Sequence, residues 1–356
     1  MNIRNTEFFE GCGKKVTAMA QSSFKKKSCE MSSDKKEKAS LRMKKELETI
    51  INNGYFQELY LLKVIVEHAL TLNRLISIGG QISYSYIAYL LGISTIEPIE
   101  RDYEVEMLWG FHQDRNPYMV INAANDYKES LVVFLRGIFG EEKVRVDDLS
   151  ITLGEQTNGI DNMTIGFLGS DLIKLAEDVL PVKNNNSESS FKLVRDSILS
   201  SHYPSGKIPY ENIVGVVKML LWLINNEEQP YSDKTECFAL FDGTYDGLLR
   251  GLAAIRGTGV AEADLRDSNN KRILTRDDFF RFGLSLFGNE KDADDFMTQI
   301  RKGRGRDLRY QGILERKEVP LDVRNKLKKV QYTVSEGSLI TEAQLVLFSA
   351  TTIFHS

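Results

Sequence analysis

From Leu41 onward, apolar residues recur at spacings of three and four. Leu47, Ile50 and Ile51 come first, then Leu59, Leu62, Ile65, Val66 and Ala69 beyond Asn52-Asn53-Gly54. That spacing places each set on one face of a helix, and the Asn-Asn-Gly step breaks the pair apart. A short apolar stretch, Leu75 to Ile78, runs into Gly79-Gly80, and Ser83 to Leu91 is expected as a helix closed by Gly92. Tyr118 to Ala123, Val144 to Val146 and Met163 to Leu168 are expected as strands, with a helix over Lys128 to Phe139. Beyond the polar stretch Asn184-Asn185-Asn186-Ser187 the period is helical: Ser190–Leu199, Ile213–Ile224, Tyr245–Ile255, Arg276–Leu286 and Asp292–Ile300. The pattern predicts an α+β half, residues 41–182, followed by an all-helical half, residues 183–356. Residues 1–40 are rich in Lys and Ser without apolar periodicity and are expected as a basic, flexible extension.

Charge changes the picture along the chain. The net charge of −4 divides into +7 over residues 1–45 and −11 over the remainder. An acidic body is ill-suited to gripping a phosphate backbone tightly, so any DNA binding is expected to be weak. Three cysteines (Cys12, Cys29, Cys237) exclude a disulfide scaffold and a four-cysteine zinc site, and four histidines without i,i+4 spacing exclude a histidine-rich metal centre. The longest apolar run, Ile213 to Ile224, is interrupted by Lys218 and is too short to cross a bilayer. No membrane association is expected, and with no signal segment at the start the expected location is cytoplasmic.

Three segments are candidates for chemistry. Gly79, Gly80 and Ser83 form a glycine turn leading toward a helix start, where backbone N–H groups hold phosphate in many proteins; a plain strand–turn–helix joint has the same pattern. Lys302, Arg304 and Arg306, alternating with Gly303 and Gly305, suit phosphate contact or a solvated interhelix loop. Asp102, Glu104 and Glu106 share one face if the segment is a strand, so Glu104 and Glu106 are weak metal-ligand candidates beside the reading of a polar strand edge.

Taken in order, these segments resemble the palm and fingers of bacterial C-family replicative polymerases, the DNA polymerase III α subunit and especially its PolC type. Leu41 to Tyr55 is similar to the start of that palm. Ile78 to Pro98 is similar to the family's G-R-G-S-x-G-S-S-[FY]-x-A-Y-L-L-G-I-[TS]-x-[IV]-x-P block, with Ala88-Tyr89-Leu90-Leu91-Gly92-Ile93-Ser94 and Pro98 in step. Glu106 to Asn122 resembles E-x-x-L-G-F-x-x-D-x-x-P-D-I-D-L-N, matching at Glu106, Gly110, Phe111, Asp114, Pro117 and Asn122. Phe139-Gly140-Glu141-Glu142-Lys143-Val144 resembles F-G-E-[DE]-x-V, and Arg301 to Gly305 resembles the fingers motif R-K-G-[KR]-G. The resemblance implies a polymerase β-like nucleotidyltransferase palm remnant, a small mixed sheet with helices, followed by a helical fingers-like region.

Departures from the family pattern bear on function. Family palms hold two metal ions on carboxylates, and Tyr118 and Val120 stand where the resemblance puts the D-x-D pair. A third family acid aligns with Gly166, within Ile165-Gly166-Phe167-Leu168-Gly169. In the phosphate block Gly79 replaces Arg, Gln81 and Tyr84 replace Ser, and Ser83 replaces Gly. The thumb and the cysteine zinc insert have no counterpart. The resemblance therefore implies a catalytically inactive polymerase-like protein that needs no cofactor and binds a replication component or nucleic acid as regulator, decoy or structural subunit. The alternative is a minimal nucleotidyltransferase using Glu104 and Glu106 with Mg²⁺. Gln344-Leu345-Val346-Leu347-Phe348 also resembles the Q-L-x-L-F peptide by which bacterial polymerases dock on the sliding clamp. That makes Gln344, Leu345, Leu347 and Phe348 partner-binding candidates, with the clamp or a full-length replicative polymerase as partner; in a fingers helix the same Leu345 and Phe348 are core contacts.

Overall fold

The structure, a computed structural model, describes residues 3, 6–99, 119–154, 162–180, 192, 195–198, 207–226, 234–256 and 258–354. The chain divides into two compact units, Met1–Ser200 and Ser201–Ser356.

The first unit begins with three helices: α1 (Cys12–Lys27), α2 (Ser33–Asn53) and α3 (Phe56–Thr71). The Ser32 hydroxyl caps α2 by accepting from the Lys35 amide, and Gly54 ends it in the left-handed conformation, as the Asn-Asn-Gly break predicts. The start of the chain departs from the expected flexible extension. Helix α1 packs against α3 with Cys12, Val16 and Ala20 buried, and Phe8 and Phe9 stack around Phe139. Its inward stripe holds one small residue per turn, too sparse to register as periodicity, while Lys14, Lys15, Lys25 and Lys26 cover the outward face.

Five strands follow: β1 (Ile76–Gly79), β2 (Met119–Ala123), β3 (Val144–Asp147), β4 (Ser150–Leu153) and β5 (Met163–Gly169), in spatial order β1-β2-β5-β4-β3. The β2–β5 pair is parallel and the other three pairs are antiparallel. Register sorts the side chains into two sets, because successive residues point to opposite faces. One set is apolar and almost wholly buried, running from Ile76 and Ile78 through Ile121, Phe167 and Ile165 to Ile151 and Leu153. The other carries Ser77, Gly79, Val120, Asn122, Gly166, Ser150, Thr152, Thr164, Arg145 and Asp147. Strand β4 was not expected; it is four residues long and pairs on both sides. Between strands lie α4 (Tyr86–Leu90), α5 (Tyr127–Phe139), packed against β3, and after the sheet α6 (Asp171–Val179), packed against β2. Helix α4 is shorter than the expected Ser83–Leu91, because Gln81–Tyr84 form a 3₁₀ turn first.

This unit extends beyond the expected boundary at residue 182. Arg195 is fully buried, and its guanidinium donates to the carbonyls of Ile76 (3.3 Å), Gly92 (3.2 Å) and Ile93 (3.2 Å). A buried cation is tolerated only with such partners, and these tie the 195–198 helical turn to β1 and to the turn after α4.

Among the described residues the second unit is helical, as expected: α7 (Tyr210–Asn226), α8 (Lys234–Leu240), α9 (Tyr245–Ile255), α10 (Val260–Ala263), α11 (Arg276–Phe287), α12 (Glu290–Arg301), α13 (Leu308–Arg316), α14 (Leu321–Leu327) and α15 (Glu336–Phe354). Helix α11 opens with a reciprocal Thr275–Asp278 capping box. Helix α15 packs against α7 and α9 and buries Leu339, Ile340, Ala343, Val346 and Ala350. No helix is long and apolar enough to cross a membrane among the described residues.

Candidate functional site

The polar face of the sheet brings together positions that the sequence singles out. Val120 in β2 is the register partner of Gly79 in β1 on one side and of Gly166 in β5 on the other. Gly166 in turn faces Ser150 in β4, and Ser150 faces Asp147 in β3, so all five strands contribute to one cross-strand row. In the next row Asn122 donates from Nδ2 to the Ser77 hydroxyl at 3.2 Å. Two adjacent strands thus present Val120 and Gly166 side by side, the placement from which two carboxylates would share a metal ion. Neither side chain offers an oxygen. Tyr118, Glu104 and Glu106 lie outside the described residues.

Among the described acids of this unit one, Asp147, falls in this row, at its far end. Asp147 shares the polar face but stands on β3, three strands from β2, about 14 Å away at ordinary strand spacing. Asp126, just past β2, pairs with Arg74 and Lys174, and the Arg74 hydrogen bond holds its carboxyl below the usual range. Glu177 accepts from the Leu75 amide at 2.7 Å and from Arg74 at 3.2 Å, while burial pushes its carboxyl up. Among the described residues no group of three His, Cys, Asp or Glu is placed to hold a metal ion. Among the described residues the donor set around Val120 and Gly166 therefore does not fit the divalent ions of a polymerase palm, which need carboxylate oxygens.

The glycine turn is closed from within. Gly79 belongs to β1, and Gly80 adopts a positive φ of 69° that turns the chain off the strand. Ser83, fully buried, donates its hydroxyl back to the Gly80 carbonyl at 2.6 Å, and its own carbonyl accepts from the Ser94 hydroxyl at 2.7 Å. The expected phosphate contact by Ser83 is thus not available on the surface. At the start of α4, Glu46 reaches in from α2. Its carboxylate accepts from the amides of Tyr86 (2.9 Å) and Ile87 (3.1 Å), from the Ser85 hydroxyl (2.7 Å) and from Arg42 Nε (2.6 Å). Ser85 itself accepts from the Ala88 amide at 3.1 Å. The amides that an external anion would use are already satisfied by an internal one. Sequence reasoning passed over Glu46, although it shares the inward stripe of α2 with Ala39 and Ile50.

In the second unit the basic loop is a turn whose backbone is packed at Gly305 while Lys302, Arg304 and Arg306 are exposed. Arg304 donates to Gln299 Oε1 at 2.8 Å, and Arg306 donates from Nε to the Lys328 carbonyl at 2.7 Å. A Cβ on Gly305 would lie 2.2 Å from the Leu327 carbonyl oxygen, so only glycine fits there. Lys302 follows α12 at its C-cap. Arg304 also lines a pocket of about 510 Å³ floored by Phe287, Phe296 and Tyr310 and rimmed by both acids and cations.

The clamp-peptide expectation meets a direct obstacle. Gln344, Leu345 and Leu347 are buried within α15 and Phe348 is half-buried. A docking peptide must present its Leu and Phe to a partner's pocket, whereas here Leu345, Val346 and Leu347 are core contacts of the helix.

A model of the family described as bacterial DNA polymerase III alpha NTPase domain matches residues 14–157. The matched stretch runs from α1 past β4 and includes Glu46, the glycine turn and Val120; Gly166 and the second unit lie beyond it. No curated protein matches the chain. With the mixed sheet, the glycine turn and the α4 block in their expected order, the first unit of this protein carries a DNA polymerase III alpha-like domain.

Proposed function

We propose that this protein is a polymerase-like scaffold that does not carry out phosphoryl transfer itself and acts by binding within the replication machinery, with a replicative polymerase as partner. The observation that supports the reading is the Val120–Gly166 register pair. Two-metal phosphoryl transfer needs carboxylates fixed where charge develops on the attacking and leaving oxygens. An isopropyl group and a hydrogen atom at adjacent positions of that face give no ligand. The internal Glu46 at the start of α4 points the same way, because a triphosphate approaching those amides meets a carboxylate already bonded to them. A charge of −11 over residues 46–356 also disfavours tight duplex binding, so a protein partner is preferred over DNA.

The test is primer extension with Mg²⁺ and with Mn²⁺, alongside calorimetry of Mn²⁺ binding. The native chain is expected to incorporate no nucleotide and to show no saturable Mn²⁺ site, while Tyr118→Asp combined with Val120→Asp is expected to gain one. Template-dependent incorporation by the native chain overturns the proposal. For the binding role, the chain is titrated into primer extension by a C-family replicative polymerase. A saturable change in rate is expected, and an unchanged rate at tenfold molar excess refutes that partner.

A further inference from the structure

Among the described residues the sheet ends at β3. In the β3–β4 ladder the Gly154 amide donates to the Lys143 carbonyl at 2.9 Å. Hydrogen-bonded and non-bonded pairs alternate along antiparallel strands. Arg145 therefore bonds toward Thr152 and Asp147 toward Ser150, while Val144 and Val146 direct their N–H and C=O groups away from the sheet; the Val144 N–H donates to the Glu141 carbonyl, so the N–H that β3 turns outward for pairing is that of Val146. Among the described residues no strand lies on that side.

The side chains along the edge are arranged about Val146. Arg145 and Asp147 flank it on the polar face, Val146 is 42% exposed on the other face, and Leu149 at the hairpin tip is 68% exposed. The Arg145 guanidinium has no partner among the described residues, and Asp147 makes one long contact, accepting from the Ser150 hydroxyl at 3.3 Å. Lys128 in α5 donates to the carbonyls of both Asp147 and Asp148 at 2.7 Å and so braces the tip. The edge is thereby held in strand geometry up to its last residue.

We propose that β3 is a homodimerisation edge: a second copy of this chain adds antiparallel across a two-fold axis at Val146. In that register Val146 faces its own copy as a hydrogen-bonded pair. Arg145 then faces Asp147 of the second copy, and Asp147 faces its Arg145. These are non-hydrogen-bonded positions, where opposing side chains come closest. Charged residues on an edge strand ordinarily repel intruding strands. Here the +/− order reverses under the two-fold, so the edge rejects other strands and accepts itself, with two ion pairs per interface. The inference is independent of the catalytic reading, since it uses the outer edge of β3 and requires nothing of Val120 or Gly166.

Sedimentation velocity of the full chain over a concentration series tests it. The native chain is expected to self-associate to a dimer, and Val146→Pro, which removes the central outward N–H, is expected to sediment as a monomer. Arg145→Asp and Asp147→Arg each place like charges opposite one another and are expected to weaken the dimer by about tenfold or more. Mixing the two variants restores opposite charges in the heterodimer, so association is expected to return. A native chain that stays monomeric at all concentrations, single variants that dimerise as the native chain does, or a mixture that fails to recover overturns the proposal. Recovery on mixing also separates lost pairing from misfolding, because a misfolded variant has nothing to restore.

Discussion

Removing the Glu46 carboxylate gives the sharpest test of how the first unit is held together. The side chain is fully buried and accepts four hydrogen bonds, two of them from backbone amides at the start of α4 and one from Arg42. Glu46→Ala leaves the Tyr86 and Ile87 amides buried without that acceptor, at about 1–3 kcal/mol for each group. It also breaks a buried ion pair from one side, for which losses of about 3–5 kcal/mol are usual. These contributions overlap because they share one carboxylate, so roughly 4 kcal/mol is expected for the unit. Glu46→Gln keeps one acceptor oxygen and the volume, and should lose about half as much. In urea, with a slope of about 2 kcal/mol/M, Glu46→Ala moves the midpoint of the first unit's transition down by about 2 M. Because two units can unfold separately, hydrogen exchange at the Tyr86 and Ile87 amides assigns the change to the right one. A midpoint within about 0.3 M of the native chain refutes the argument that this internal anion anchors α4.

Two further outcomes follow from the geometry. Gly305→Ala forces a Cβ to within 2.2 Å of the Leu327 carbonyl oxygen and is expected to destabilise the second unit by about 1–3 kcal/mol in chemical denaturation. Gly312→Ala, inside α13 with only a distant Arg316 nitrogen nearby, is expected to stabilise it by about 0.5–1 kcal/mol; equal effects at both sites refute the packed-turn reading. His68 stacks on Phe134 at 3.9 Å with Nδ1 3.0 Å from the Tyr127 hydroxyl, and burial lowers its pKa below the ordinary 6.5. Between the lowered value and 6.5 the unfolded chain binds more protons than the folded one, so stability rises with pH across that window and falls as pH drops below 6.5. His68→Phe should flatten this part of a midpoint-versus-pH curve, and an unchanged slope rejects the assignment.

How much of this was legible beforehand depended on whether a feature is local or long-range. Strands β1, β2, β3 and β5 and helices α2, α3, α5, α7, α9, α11 and α12 announce themselves through runs and spacings within one segment. Strand β4 does not, because Ser-Ile-Thr-Leu is only four residues and owes its conformation to partners on both sides. Helix α1 was hidden because Cys12, Val16 and Ala20 contribute little apolar volume each, yet suffice once α3 supplies the other wall. At Gln344–Phe348 the same letters satisfy a docking peptide and a buried helix, and only the packing of α15 against α7 and α9 decides between them. For the candidate site, the residue types at Val120 and Gly166 were readable, but their side-by-side register was not, since pairing is fixed by the whole sheet.

The Arg195 clasp has a consequence for how this protein is made. Three carbonyls laid down near residues 76 to 93 wait for a cation that emerges from the ribosome about a hundred residues later, so β1 and the turn after α4 stay unfinished until then. A truncation ending at residue 182 would retain every strand of the sheet and still lack its last fastening. The fragment expected to fold on its own is the one that ends at or beyond Ser200.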